Sequence, residues 1–172
     1  RGHGVVYEVG GRGRGDGGGR VEQVDHVFED PDPIWATLFY AAFAARLHDA
    51  LAEWRDRMDP GLVDVVEAGR KLTGIQFVQA TFARATFSEA VRRFFTRYDL
   101  LLTPTLAVPP FAAGLGQPPS HPKGSHLSWV AFTYPFNLTG QPAATVPCGF
   151  TRDGLPIGLQ IVGRRLHDAT VL

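Results

Sequence analysis

The sequence predicts an α/β protein in which helices cover a β-sheet, with the fold incomplete at both ends. Between residues 32 and 97, apolar residues recur every three or four positions, which is the helical period. After residue 98 the pattern changes to short apolar runs closed by proline and glycine, the mark of buried strands. A block of helices followed by buried strands is stable when the helices lie over the sheet.

Each element has its own signal. Residues 1–20 hold nine glycines and four arginines, so little apolar surface offsets the entropy of ordering them, and a disordered tail is expected. A Gly/Arg segment that contacts RNA and a reading-frame error are alternative accounts of this stretch. The alternation in VEQVD predicts a strand over 21–25. Asp32 followed by Pro33 marks a helix start. Phe39, Phe43, Leu47, Leu51 and Trp54 then fall on one helical face. Asp59–Pro60 repeats the signal for a second helix running to about Lys71. A third is predicted over 73–97, with Val78, Phe82, Phe87, Val91, Phe94 and Tyr98 as its stripe and Arg92, Arg93 and Arg97 near its end. Residues 99–103, closed by Pro104, read as a strand buried on both faces. A proline-rich loop follows over 105–122. Two more strands are predicted over 143–147 and 157–163, with Asp153–Gly154 as the hairpin turn between them.

Composition narrows the function. The chain has 172 residues, with 17 basic against 17 acidic side chains, a balance that calls for no polyanionic partner. No apolar run reaches the ~20 residues of a membrane span. The single cysteine, Cys148, rules out an internal disulfide, fits a reducing compartment such as the cytoplasm, and reads as a small buried hydrophobe.

Hydrolysis without a metal needs a nucleophile, a base and an oxyanion site. The serines are Ser88, Ser120, Ser125 and Ser128, and the lysines are Lys71 and Lys123. The cluster from Ser120 to His126 brings Ser, His and Lys together in sequence, but a Pro/Gly-punctuated loop holds a nucleophile poorly, and a polar surface loop is the simpler reading. His121 and His126 leave a zinc site two ligands short. No catalytic residue, metal or cofactor is therefore assigned. In NLTGQPAATVP, Gly140 is placed to take positive φ and Pro142 to fix the chain before a strand, as a strand-entry loop or a pocket wall.

Three blocks, YDLLLTPT (98–105), FTYPFNLTGQPAATVPCGF (132–150) and DGLPIGLQIVGRRLHD (153–168), together resemble the C-terminal part of the amidase signature family. The resemblance spans about Val21 to Leu172, so residues 21–172 are expected to be the C-terminal part of an amidase domain, with a mixed sheet between helical layers. It implies amide hydrolysis by acyl transfer through a serine–serine–lysine triad on an upstream Gly/Ser-rich segment. This sequence holds no such segment, begins at Arg1 and stops at HDATVL, so a fragment inactive alone is expected. The resemblance further implies that Thr105, Trp129, Phe132, Thr133 and Asn137 lie at the substrate cavity of the intact parent. The A subunit of the glutamine-dependent tRNA amidotransferases is similar too. Those subunits carry an acidic residue before the aromatic-Pro-Asn turn, where this chain has Ser128-Trp129-Val130-Ala131. A general amidase acting on an apolar or aromatic small-molecule amide is therefore preferred to glutamine chemistry. A non-catalytic binding module is the remaining alternative. No nucleic-acid or membrane partner is expected, and a homodimer is left open.

Overall fold

A computed structural model describes residues 4–8, 20–24, 26–119 and 128–172. The chain divides into two compact units: Pro31–Phe87 forms one, and Arg1–Asp30 with Ser88–Leu172 forms the other.

The first unit is helical. Helix α1 spans Asp32–Trp54, α2 spans Pro60–Arg70, and α3 begins at Gly74 and runs through the unit boundary to Phe94. The start of α1 differs by one residue from expectation: Pro31 is the N-cap, so Asp32 opens the helix as a negative charge at the positive end of its dipole. At α2 the expected cap is present, with the Leu62 amide donating to Asp59 Oδ1 at 3.1 Å and Pro60 at the first helical position. Helix α3 is capped reciprocally. The Gln76 amide donates to Thr73 Oγ1 at 3.2 Å, and Gln76 Oε1 accepts from the Thr73 amide at 2.8 Å. Trp35 stacks on Phe39, and Phe39 meets Phe43 at a tilt, with ring centroids 4.1 and 4.5 Å apart along α1. Helices α1 and α2 meet closely at Gly69, where an added Cβ would stand 2.0 Å from the Tyr40 carbonyl oxygen. The buried core here includes Ala44, Leu51 and Val66. Trp54, expected on the buried stripe, is exposed because the helix ends there and a 3-10 turn, Arg55–Arg57, takes over.

The second unit is built on a five-stranded open sheet. Its strands are β1 (Gly4–Glu8), β2 (Arg20–Val24), β3 (Leu100–Pro104), β4 (Ala143–Phe150) and β5 (Pro156–Gly163), in the order β2-β1-β3-β5-β4. Every pairing is antiparallel. Strand β1 falls within the stretch expected to be a disordered tail. GVVYE is rich in β-formers and pairs with both β2 and β3, so local composition over twenty residues concealed a short strand. The rest of residues 1–20, apart from Arg20 at the start of β2, lies outside the described residues.

Strand β3 alternates in burial, with Leu101 and Thr103 buried and Leu100 and Leu102 half-buried, whereas the continuous apolar run suggested burial on both faces. Buried Leu101 faces buried Val162 in register, and Thr103 faces Gln160. The β4–β5 hairpin turns at Asp153–Gly154 as expected, with Gly154 at φ 79° and its amide donating to the Thr151 carbonyl. Both strands run past their expected ends, because pairing continues across a bulge between Pro147 and Gly149.

Between β3 and β4 lie a 3-10 turn, Ser128–Val130, and a short helix α4, Tyr134–Thr139, that ends at Gly140 in the left-handed region with φ 72°. The last element is a four-residue helix α5, Asp168–Val171, with His167 as its N-cap. Arg164 anchors the end of α3, its guanidinium donating twice to the Phe95 carbonyl at 3.1 and 2.6 Å. No helix among the described residues is long and apolar enough to cross a membrane.

Candidate functional site

Where β3 leaves the sheet, its continuation bends into a wall. The Thr105 amide donates to the Gly158 carbonyl at 2.9 Å, carrying the β3–β5 ladder one step beyond the strand. Residues 105–108 bend away from the ladder, and Pro109 and Pro110 fix φ beyond them. Opposite stands the β4–β5 hairpin, sharpened by the bulge and by Pro147 and Pro156. Between the two walls lies a cavity of about 560 Å³. Thr105, Leu106, Ala107, Val108, Pro109 and Pro110 form one side, and Thr145, Pro147, Thr151, Pro156, Ile157 and Gly158 the other.

None of those side chains ionises, so the cavity is apolar apart from three threonine hydroxyls. One hydroxyl is already engaged, since Thr151 Oγ1 accepts from the Leu155 amide at 3.0 Å. The other two face each other across the cavity wall, Thr105 Oγ1 donating to Thr145 Oγ1 at 3.3 Å. Gly158 makes room for that pair. A Cβ there would stand 2.7 Å from Thr105 Oγ1 and 3.0 Å from Thr145 Cγ2. A volume of this size matches the lower end of small-ligand sites, and uncharged walls favour an uncharged occupant.

The five residues singled out from sequence fall in two places. Thr105 lines the cavity. The other four lie on the segment that leads into and through α4. Trp129 is joined to the cavity wall through its carbonyl, which accepts from the Ala107 amide at 3.1 Å, and its ring meets Phe111 edge-on at 5.5 Å. The Phe132 carbonyl accepts from the Gln160 side-chain amide at 2.6 Å. Thr133 is the N-cap residue of α4, and its hydroxyl donates back to the Val130 carbonyl at 3.0 Å. Asn137 is exposed on α4.

Gln160 links these pieces. It is buried on β5, and its side-chain amide donates both to Thr103 Oγ1 on β3 and to the Phe132 carbonyl. The α4 end of the segment is fixed by an edge-on contact between Phe28 and Phe136, and by a short hydrogen bond from the Tyr134 hydroxyl to Asp30.

Sequence reasoning missed Thr145, Pro147, Thr151, Ile157 and Gly158. The Asp153–Gly154 turn signals the hairpin but not its register, because the bulge between Pro147 and Gly149 shifts the pairing so that Pro147 meets Gly158 and Thr145 meets Gln160. Cys148, expected to be buried, is exposed at the bulge, with its thiol near the Ile157 carbonyl at 3.5 Å. Strand β4 is the edge of the sheet, and its residues from Thr145 to Cys148 are all exposed.

The Ser120–His126 cluster lies outside the described residues. Among the described residues no three His, Cys, Asp or Glu side chains group as metal ligands. The groups whose pKa moves do not line the cavity. Hydrogen bonds from Arg92 and Arg93 hold the Glu89 carboxyl down at about 2, and Arg55 lowers that of Glu67. Burial raises the Tyr40 hydroxyl, with the Asp32 charge adding to the effect.

Comparison with known proteins bears on this geometry. A family model described as Amidase matches residues 24–172. The chain is 34% identical over 165 residues to an acylamidase of Rhodococcus erythropolis, a match that covers 90% of this chain and 34% of that protein. Over 96 residues it is 42% identical to the A subunit of the glutamyl-tRNA(Gln) amidotransferase of Myxococcus xanthus, covering 56% of this chain and 19% of that protein. A crystal structure of an amidase superposes on 83% of this chain with a TM-score of 0.75 and 26% identity, and this chain covers 33% of it. The chain therefore spans about a third or less of the length of the relatives it matches.

Proposed function

The chain belongs to the amidase family, and on that premise we propose that it forms part of an amide hydrolase and walls its substrate cavity without supplying the catalytic triad. The observation that carries this reading is the cavity beside Thr105. It is a half-open cleft between two structured walls, sized for a small molecule, and among the described residues it is lined by no serine, lysine or histidine. Such a site binds and orients but has no nucleophile–base pair of its own. In this reading the serine–serine–lysine chemistry comes from the part of the family sequence that the chain does not span.

Thr105, Trp129, Phe132, Thr133 and Asn137 then stand on the substrate side of the intact enzyme. Thr105 meets the amide's side group, and the 129–137 segment holds the adjoining wall through Ala107 and Gln160. Work in the cytoplasm, without a cofactor, fits acyl transfer of this kind.

The substrate class follows from the lining. An uncharged apolar or aromatic amide matches walls of proline, leucine, valine and isoleucine. Glutamine chemistry would require a partner for an ammonium group, and among the described residues the cavity has no carboxylate. The identity to the tRNA amidotransferase keeps that chemistry as the second reading, to be separated by substrate preference.

The test is a chimera. Residues 24–172 replace the matching third of the Rhodococcus erythropolis acylamidase, and hydrolysis of aryl amides and of glutamine is compared. Turnover of aryl amides, with glutamine a poor substrate, supports the proposal. A folded chimera that prefers glutamine, or that hydrolyses neither, overturns it.

A further inference from the structure

We infer that Thr105 and Thr145 form a hydrogen-bonding anchor that selects an uncharged ligand group carrying a hydroxyl or a primary amide, with Gly158 setting the depth of the pair. This rests on the reading of the cavity as a ligand site for the neutral part of an amide, and it assigns a specificity role to Thr145 and Gly158.

Each threonine hydroxyl carries one donor and two acceptor sites. When Thr105 Oγ1 donates to Thr145 Oγ1, the Thr145 proton is left to donate onward and the lone pairs of Thr105 are left to accept. The pair therefore offers one donor and one acceptor side by side. A ligand hydroxyl or primary amide, which also carries both, satisfies the two together. A methyl group of similar size satisfies neither.

The surroundings make that difference count. The other lining side chains are apolar or, like Thr151, already bonded to backbone. A polar ligand atom pressed against those apolar walls would lose its water without replacement. Position is set from below. Gly158 leaves space that a methyl would take, and an alanine there would press on both Thr105 Oγ1 and the Thr145 methyl. The Thr105 amide is meanwhile held by the Gly158 carbonyl, so the hydroxyl pair has a fixed base. Among the described residues no ionisable group lines the cavity, so the discrimination is independent of charge.

The experiment uses the full chain and two neutral tertiary amides of similar size, 4-hydroxy-N,N-dimethylbenzamide and 4-methyl-N,N-dimethylbenzamide, whose amide group carries no N–H and so cannot itself satisfy the pair. Binding is measured by ligand-observed NMR titration at low protein concentration. The wild-type chain is expected to favour the hydroxyl probe by about fivefold, the ratio that one net hydrogen bond of ~1 kcal/mol supplies. Thr145→Val is expected to bring the ratio to about one by weakening only the hydroxyl probe. Thr145→Ser, which keeps the hydroxyl, is expected to retain the preference. Gly158→Ala is expected to reduce it. Should Thr145→Val fail to fold, Thr105→Val removes the other half of the pair and reads the same ratio. A preference that survives both valine variants, equal binding of the probes to the wild type, or binding of neither overturns the inference. The outcome is separate from that of the chimera. An active chimera with equal probe binding sinks the anchor alone, and an inactive chimera with the expected ratios sinks the amidase reading while the anchor stands.

Discussion

Gly69 shows how a single position can carry a packing requirement. In an exposed helix interior, Gly→Ala would stabilise by about 1 kcal/mol through propensity. Here the added methyl would meet the Tyr40 carbonyl oxygen at 2.0 Å, and backbone cannot yield as a flexible side chain would. Overpacking of that kind costs ~1–3 kcal/mol and outweighs the propensity gain. Gly69→Ala is expected to lower the melting temperature of the helical unit, whereas Gly74→Ala, where a Cβ meets nothing within 4 Å, is not. Glu89 makes a prediction about pH. Its hydrogen bonds to Arg92 and Arg93 bring its carboxyl from an ordinary 4.5 to about 2. The folded-state value lies below the unfolded one, so the contribution is fully present above about pH 4.5 and is lost as pH falls through about 2. An NMR titration of the Glu89 carboxyl is expected to show a midpoint near 2, rising toward 4.5 in an Arg92→Ala, Arg93→Ala double variant. At this scale the sequence was legible where one residue does one local job, as with Asp59 capping α2 or Gly140 taking positive φ. It was silent on Gly69 and Gly158, whose roles depend on what packs against them.

At the scale of elements, the β4–β5 hairpin shapes the cavity, and its turn is the place to test it. Gly154 has φ 79°, a region that costs a side chain ~1–2 kcal/mol. Gly154→Val is expected to destabilise the sheet unit by about that amount and to broaden the backbone NMR signals of Thr151 and Ile157, both of which line the cavity. An unchanged melt and unchanged signals would mean that the bulge alone fixes the hairpin. This turn was readable because Asp-Gly is a short-range signal. Strand β1 and helix α4 were not readable. Five strand residues were diluted by the glycines around them, and α4 carries Pro135 in its first turn, a start signal obscured by the stronger turn pattern of residues 137–142. The alternating burial of β3 escaped for a different reason. A run of leucines looks the same whether one face is covered or two, and only the neighbouring strands decide.

At the scale of the whole molecule, apolar surface is left uncovered in both units. Ile75 and Phe82 on α3 are 72% and 69% exposed, and Phe150 on edge strand β4 is 73% exposed. These are positions that a stable monomer ordinarily covers. The isolated chain is expected to bind a hydrophobic dye and to aggregate on warming, and a sharp, reversible melt of a monomer would count against this. A Phe82→Asp, Phe150→Asp double variant is expected to delay aggregation without loss of helix signal. The α/β class was legible because the change of period near residue 98 is a property of the whole chain, and the family resemblance because three separated motifs agree. How the cavity assembles was not legible, since its walls come from segments some forty residues apart that meet only through the β3–β5–β4 register.

The most direct test of the central claim is turnover by the purified chain itself on a panel of small aryl amides, followed over hours at high enzyme concentration. The account predicts no hydrolysis above background, because the cavity beside Thr105 binds without a nucleophile and base of its own. Hydrolysis that co-purifies with the chain and is lost on Ser125→Ala would contradict it, placing a catalytic centre within the Ser120–His126 loop.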